Sequence, residues 1–141
     1  MKYHYTHGGR ITDILDSGIL LPSTIGFQKK REQAVWFSTN PFWEHTVGMY
    51  GYDHGVYKEL SLEDAIRIAG GVYRIVVEDK VAPFDWRAYV KKSKTKGSIR
   101  RGMEATAKNR GANPSEWYVS FKPVVDTLWL DVETLDNGVW R

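Results

Sequence analysis

Glu116-Trp117-Tyr118-Val119-Ser120-Phe121 reads as a β-strand, dense in aromatic and β-branched residues. Side chains alternate faces along a strand, so Trp117, Val119 and Phe121 point one way and Glu116, Tyr118 and Ser120 the other. A core strand has no use for an acid at its head, which makes Glu116 the candidate functional carboxylate. Two further segments oppose apolar and polar faces in the same manner. Residues 2–6 set Tyr3 and Tyr5 against His4 and Thr6, and residues 34–39 carry Ser38 beside Trp36 and Asn40.

Working outward, the spacing of Ile11, Ile14 and Leu15 predicts a helix over 10–17, with Gly18 at its C-cap. Ser61-Leu62-Glu63-Asp64 reads as a capping box, with Asp in place of Glu, opening a helix to Ala69, and Gly70-Gly71 ends it. Residues 72–78 form a β-branched strand. Pro83-Phe84-Asp85 opens a helix to about Lys92 with Asp85 as cap, and a further helix spans 98–109, ending at Gly111. Residues 128–133 read as another strand, and Asn137-Gly138 as a turn into a short strand at Val139-Trp140. Residues 42–57, aromatic and glycine-rich, read as irregular, with room for a short helix. The alternation of strands and helices predicts one α+β domain over 1–141, with short helices inserted in a mostly antiparallel sheet.

Composition narrows the classes. A chain of 141 residues with 42% hydrophobic residues builds a core and is not disordered. Six Trp, eight Tyr and five Phe are enough to line a pocket as well as a core. Without cysteine there are no disulfides and no thiolate chemistry, which suits a cytoplasmic setting. No apolar run approaches membrane-spanning length, and Met1-Lys2-Tyr3-His4 is not the start of a signal peptide. The expected partner is therefore a macromolecular acceptor, nucleic acid or protein, with no membrane.

Tyr3-His4-Tyr5-Thr6, followed by Ile11, Ile14-Leu15, Gly18, Leu20 and Pro22, resembles the opening strand and helix of the DarT-type DNA ADP-ribosyltransferases. The RNA 2′-phosphotransferases, which share that fold, open similarly. Val35-Trp36-Phe37-Ser38-Thr39 is similar to the aromatic-Ser-Thr strand of ADP-ribosyltransferases, and Ser115-Glu116-Trp117-Tyr118-Val119 to the strand that carries their catalytic glutamate. The motifs follow in the family's order and together span most of the chain.

The resemblance implies an ADP-ribosyltransferase-like split sheet, NAD as cofactor, and mono-ADP-ribosylation of a nucleic acid or protein. It also implies a setting such as a toxin, an anti-defence protein or a phage-encoded host modifier. ADP-ribosyl transfer passes through an oxocarbenium-like state, as glycoside cleavage does. Nicotinamide leaves neutral from a cationic nitrogen, so one carboxylate suffices to hold the ribose 2′-hydroxyl and the developing positive charge. The resemblance gives that role to Glu116. It gives the adenosine ribose to His4, with Thr6 beside it on the same face, and the bracing of the glutamate or the nicotinamide ribose to Ser38. An aromatic ring must stack on nicotinamide, and Trp36, Phe37, Trp43 and Tyr50 are all candidates. Arg10, near the helix start, reads equally as a partner for a diphosphate and as a solvated arginine. Pro114 stands where arginine-specific transferases carry an acid or amide, so arginine as the acceptor is not implied.

Lys91, Lys92, Lys94, Lys96, Arg100, Arg101, Lys108 and Arg110 fall between positions 91 and 110, opposed only by Glu104. Two readings stand side by side: a solvated surface, or a phosphate-contacting face that holds the target, with Lys91, Lys92, Lys94, Lys96, Arg100 and Arg101 at its centre. His45 and His54, with Asp53 or Glu44, match no metal-ligand spacing, so no metal is expected. Glu44, next to Trp43, is a candidate second acid but reads more readily as an exposed loop glutamate. The alternatives to an ADP-ribosyltransferase are a non-catalytic nucleotide- or nucleic-acid-binding module of the same fold and an RNA 2′-phosphotransferase.

Overall fold

The computed structural model describes residues 1–23 and 29–141. Its strands are β1 (Lys2–His7), β2 (Ile19–Leu20), β3 (Val35–Ser38), β4 (Tyr50–Asp53), β5 (Val56–Glu59), β6 (Val72–Val77), β7 (Phe84–Asp85), β8 (Trp117–Ser120), β9 (Val124–Val125), β10 (Trp129–Asp136) and β11 (Val139–Trp140). Its helices are α1 (Gly8–Ser17), α2 (Leu62–Ile68), α3 (Trp86–Ser93) and α4 (Gly97–Arg110). Seven strands form one sheet in the order β11-β10-β6-β1-β3-β8-β7, and β2-β9 and β4-β5 form two small ribbons. Every described pairing is antiparallel. The α+β class and the antiparallel character read from the sequence are those of the structure.

The sheet is nearly divided in two. β1 matches β6 along its whole length, from Lys2↔Val77 to His7↔Val72. On its other side β1 meets β3 at a single pair, Tyr3↔Ser38. β3 in turn matches β8 from Val35↔Ser120 to Ser38↔Trp117. One half, β11-β10-β6-β1, thus joins the other, β3-β8-β7, at one point and diverges from it beyond.

Local chemistry sets most element ends. Gly18 takes a left-handed φ of 67° and returns its N–H to Ile14 O, closing α1. Ser61 caps α2 by accepting from Asp64 N, and Asp85 caps α3 by accepting from Ala88 N at 2.8 Å. Asn137 and Gly138, at φ 49° and 78°, make the left-handed pair that a tight β10-β11 turn requires. α1 starts two residues earlier than its apolar spacing indicated, because His7 Nδ1 accepts from Gly9 N and caps it.

Two expectations are corrected. Residues 42–57 are not merely irregular: Asp53 and Val56 close a β4-β5 hairpin around His54 and Gly55, both at positive φ. His54 supplies the left-handed residue where Asn or Asp would have signalled the turn. Glu116 does not head the strand. Asn113 accepts from Ser115 N and Pro114 fixes the first position, so Pro114–Glu116 is a 3₁₀ turn and β8 begins at Trp117.

Three apolar clusters hold the layers together. Leu20, Val35, Phe37, Ile75, Val77 and Val124 pack on one face of the sheet, with Ile14 of α1 against them. Tyr5, Trp43, Met49, Leu60, Ala65 and Val72 pack on the other, beneath α2 and the hairpin. Ala34, Tyr89 and Val119 form a third cluster with Trp36, Trp86 and Phe121 under α3. α4 joins these least. Ala107 is its only buried residue.

A cleft at the split of the sheet

Where β1 and β3 part, two cavities meet. The larger, about 610 Å³, is lined by Tyr3, His4 and Tyr5 of β1, Trp36, Phe37 and Ser38 of β3, Trp117 of β8, and Glu44, Thr46 and Val47 of the loop after β3. Ile99, Gly102, Met103 and Thr106 complete it, a stripe at i, i+3, i+4, i+7 that makes α4 its roof. The second cavity, about 550 Å³, is lined by Thr6, Arg10, Asp13 and Ser17 together with apolar residues of β2 and β3. His4 and Trp36 line both. Each volume lies in the range of small-molecule sites.

His4 is fixed in one form. Its Nδ1 lies 2.8 Å from Trp36 O. A carbonyl only accepts, so Nδ1 carries the proton. Burial, chiefly, holds the His4 pKa below its usual value, and the Arg10 charge adds to this. A neutral ring with Nδ1–H leaves Nε2 as an acceptor, on a residue that lines both cavities. The bond also bridges the two diverging strands. Phe37 meets the His4 ring edge-on at 5.7 Å.

The aromatic wall is preorganised. Trp36 packs edge-on against Tyr89 at 4.6 Å and Trp117 at 6.3 Å, and Trp117 packs edge-on against Trp86 at 5.1 Å. Trp117 is 5% exposed, and its indole N–H has no hydrogen-bond acceptor among the described residues. Buried donors are seldom left so.

The carboxylate of the larger cavity is Glu44. Expected to be an exposed loop acid, it is 8% exposed. Its loop is built turn upon turn. Ser38 Oγ accepts from Asn40 N, Asn40 Oδ1 accepts from Phe42 N, and Val47 N returns to Glu44 O. Tyr5 donates its hydroxyl to Asn40 O, and burial pushes the pKa of that hydroxyl up to about 12. Trp43 anchors the loop by packing on Tyr5 at 5.1 Å.

The sequence-derived site residues therefore divide. His4, Trp36, Phe37 and Ser38 converge on the larger cavity, and Thr6 and Arg10 on the second, with His4 and Trp36. Trp43 is a core residue that lines neither, and Tyr50 sits on the β4-β5 hairpin, 55% exposed and stacked on Tyr57. Glu116 is half-buried, one residue from Trp117, with its carbonyl accepting from Thr39 N. It lines neither cavity. Lys91, Lys92, Lys94, Lys96, Arg100 and Arg101 are all exposed, spread from the last turn of α3 to the first turns of α4. Asp53 is bound up in ion pairs with Lys58 and Arg67, and no group of three or more His, Asp or Glu among the described residues is arranged to hold a metal. No described helix is long and apolar enough to cross a membrane.

Sequence reasoning set Glu44 aside as an exposed acid and missed the α4 stripe. The stripe carried a signal, since Ile99 and Met103 share a helix face. Glu44 carried none, because only the loop's path turns it inward. The chain matches no family model, no curated protein and no solved structure.

Proposed function

We propose that the protein is an NAD-dependent mono-ADP-ribosyltransferase acting on a macromolecule, with the dinucleotide lying along the cleft at the split of the sheet. The observation that carries this reading is the pair of adjoining cavities sharing His4 and Trp36, each sized for one ring-bearing half of a dinucleotide. The residues fit such a ligand. The Trp36, Phe37 and Trp117 rings offer stacking and edge contacts to a base, His4 Nε2 accepts from a ribose hydroxyl, and Arg10 offers its charge to a diphosphate. When bound, NAD supplies an activated ribose whose C1′–nitrogen bond breaks with the electron pair going to the nicotinamide ring; the acceptor forms the new bond to C1′ and releases its proton. The chain's part is to orient the ribose, exclude water beneath α4 and set a negative charge near C1′.

NAD consumption with a matching mass gain on a target, both abolished by Glu116→Ala, is the expected result with Glu116 as that charge. Full target modification by Glu116→Ala removes Glu116 from the role.

The position of Glu116 outside both cavities favours a second reading, a nucleotide-binding module without turnover. Its mark is NAD or nucleotide binding with no product. If the exposed lysines add a nucleic-acid contact, replacing Lys91, Lys92, Lys94 and Lys96 weakens that binding and flattens its salt dependence.

A further inference from the structure

We infer that Glu44 is the ligand-gripping carboxylate of the cleft, and that it takes the hydroxyl pair of a nucleoside whose base lies against Trp36 and Trp117. The inference rests on the nucleotide reading of the cleft, though not on turnover. Glu44 Oε1 is held from one side by Thr46, whose hydroxyl donates at 2.6 Å and whose N–H donates at 3.2 Å. Both bonds come from within the loop and fix the carboxylate's orientation. Among the described residues, none donates a hydrogen bond to Oε2 and no Lys, Arg or His pairs with the group. A carboxylate that is 8% exposed in a mostly apolar cavity, without a cation, is costly to keep unless something brings donors to it.

The cavity's polar inventory narrows what that is. Glu44 Oε2 and His4 Nε2 are acceptors, and Trp36 and Trp117 add flat apolar walls. The complement is a flat ring joined to a group with two adjacent O–H donors. A nucleoside has that form. A fatty acid or an anionic sugar does not, since either would set negative charge against Glu44. Glu116, the acid singled out by the sequence, lacks this placement: it touches neither cavity.

The test measures binding of NAD, adenosine and 2′,3′-dideoxyadenosine by quenching of tryptophan fluorescence, for the unaltered chain and for Glu44→Gln and Thr46→Val, and follows NAD turnover in Glu44→Gln and Glu116→Gln. Glutamine keeps the oxygen that Thr46 binds, so the loop retains its shape, and thermal unfolding verifies this. Glu44→Gln is expected to weaken adenosine about tenfold to a hundredfold, the loss of a charge-assisted hydrogen bond. The dideoxy nucleoside should bind the unaltered chain as poorly as adenosine binds Glu44→Gln. Thr46→Val should produce a smaller loss. If folded Glu44→Gln binds adenosine and NAD normally, or the unaltered chain binds no nucleoside, the inference is wrong. Glu44-dependent nucleoside binding without NAD turnover upholds it while ending the transferase reading. NAD turnover lost in Glu116→Gln but unchanged in Glu44→Gln does the reverse.

Discussion

Arg74→Met should be the most damaging single change that leaves the cleft lining untouched. Arg74 is 8% exposed on β6, directly across from Tyr5 of β1 and Glu133 of β10. Its Nε donates to Glu133 Oε1 at 3.0 Å, and another guanidinium nitrogen donates to Pro41 O. The guanidinium also lies over the Tyr3 ring at 4.3 Å and the Trp140 ring at 4.6 Å. One side chain thus ties three strands to the loop that carries Glu44. Methionine fills much of the volume but leaves the Glu133 carboxylate, 17% exposed, without its cation. Breaking a buried pair from one side costs about 3–5 kcal/mol. The stacked contacts overlap with that figure rather than adding to it in full. A domain has about 5–15 kcal/mol in total, so the loss is a large share, and at about 3 °C per kcal/mol it lowers the melting temperature by about 10 °C. Urea unfolding followed by tryptophan fluorescence measures it. Adding Glu133→Leu should recover much of the loss, because an apolar replacement of a whole buried pair is often neutral. A single-variant loss below about 1 kcal/mol, or a double variant equal to the sum of both singles, would refute the view that this pair is buried and coupled.

Acid should destabilise the fold through His4 and His7. Burial chiefly, with the Arg10 charge adding, holds both pKa values below 6.5. Between those values and 6.5 the unfolded chain binds more protons than the folded one, so stability rises with pH there. The expected profile is flat above about pH 7 and falls as pH drops from about 6.5; His4→Gln should reduce the slope, and an unchanged slope in that variant would contradict the burial argument. Gly8→Ala should cost about 1–3 kcal/mol in urea unfolding, since its Cβ would stand 2.4 Å from Gly70 O and only backbone movement relieves the clash. Gly102→Leu should hold or raise stability, because a Cβ there meets nothing within 4 Å and leucine suits a helix better than glycine. The same side chain enters the cleft from its roof, so nucleotide binding by calorimetry should fall sharply; undiminished binding would place the ligand elsewhere.

Local chemistry determined much of this protein. The helix ends at Gly18, Ser61, Asp85 and Gly111 follow from caps whose partners lie within a few residues. The strand faces follow from alternation, which is why His4 and Ser38 were legible as pocket residues. Tertiary structure alone decided the rest. Whether β1 and β3 pair fully or part after Tyr3↔Ser38 depends on contacts between segments far apart in the chain, and the parting is what opens the cleft. Trp43 and Glu44 are neighbours in sequence with exchanged fates: the ring expected in the pocket anchors the loop, and the acid expected in solvent faces the cavity. No local pattern encodes that exchange, because it follows from the loop's turns and from the place Tyr5 offers the Trp43 ring. Glu116 shows the converse. Its neighbours Asn113 and Pro114 wind it into a turn before the strand begins, and it is Trp117, set by alternation on the opposite face, that lines the cavity.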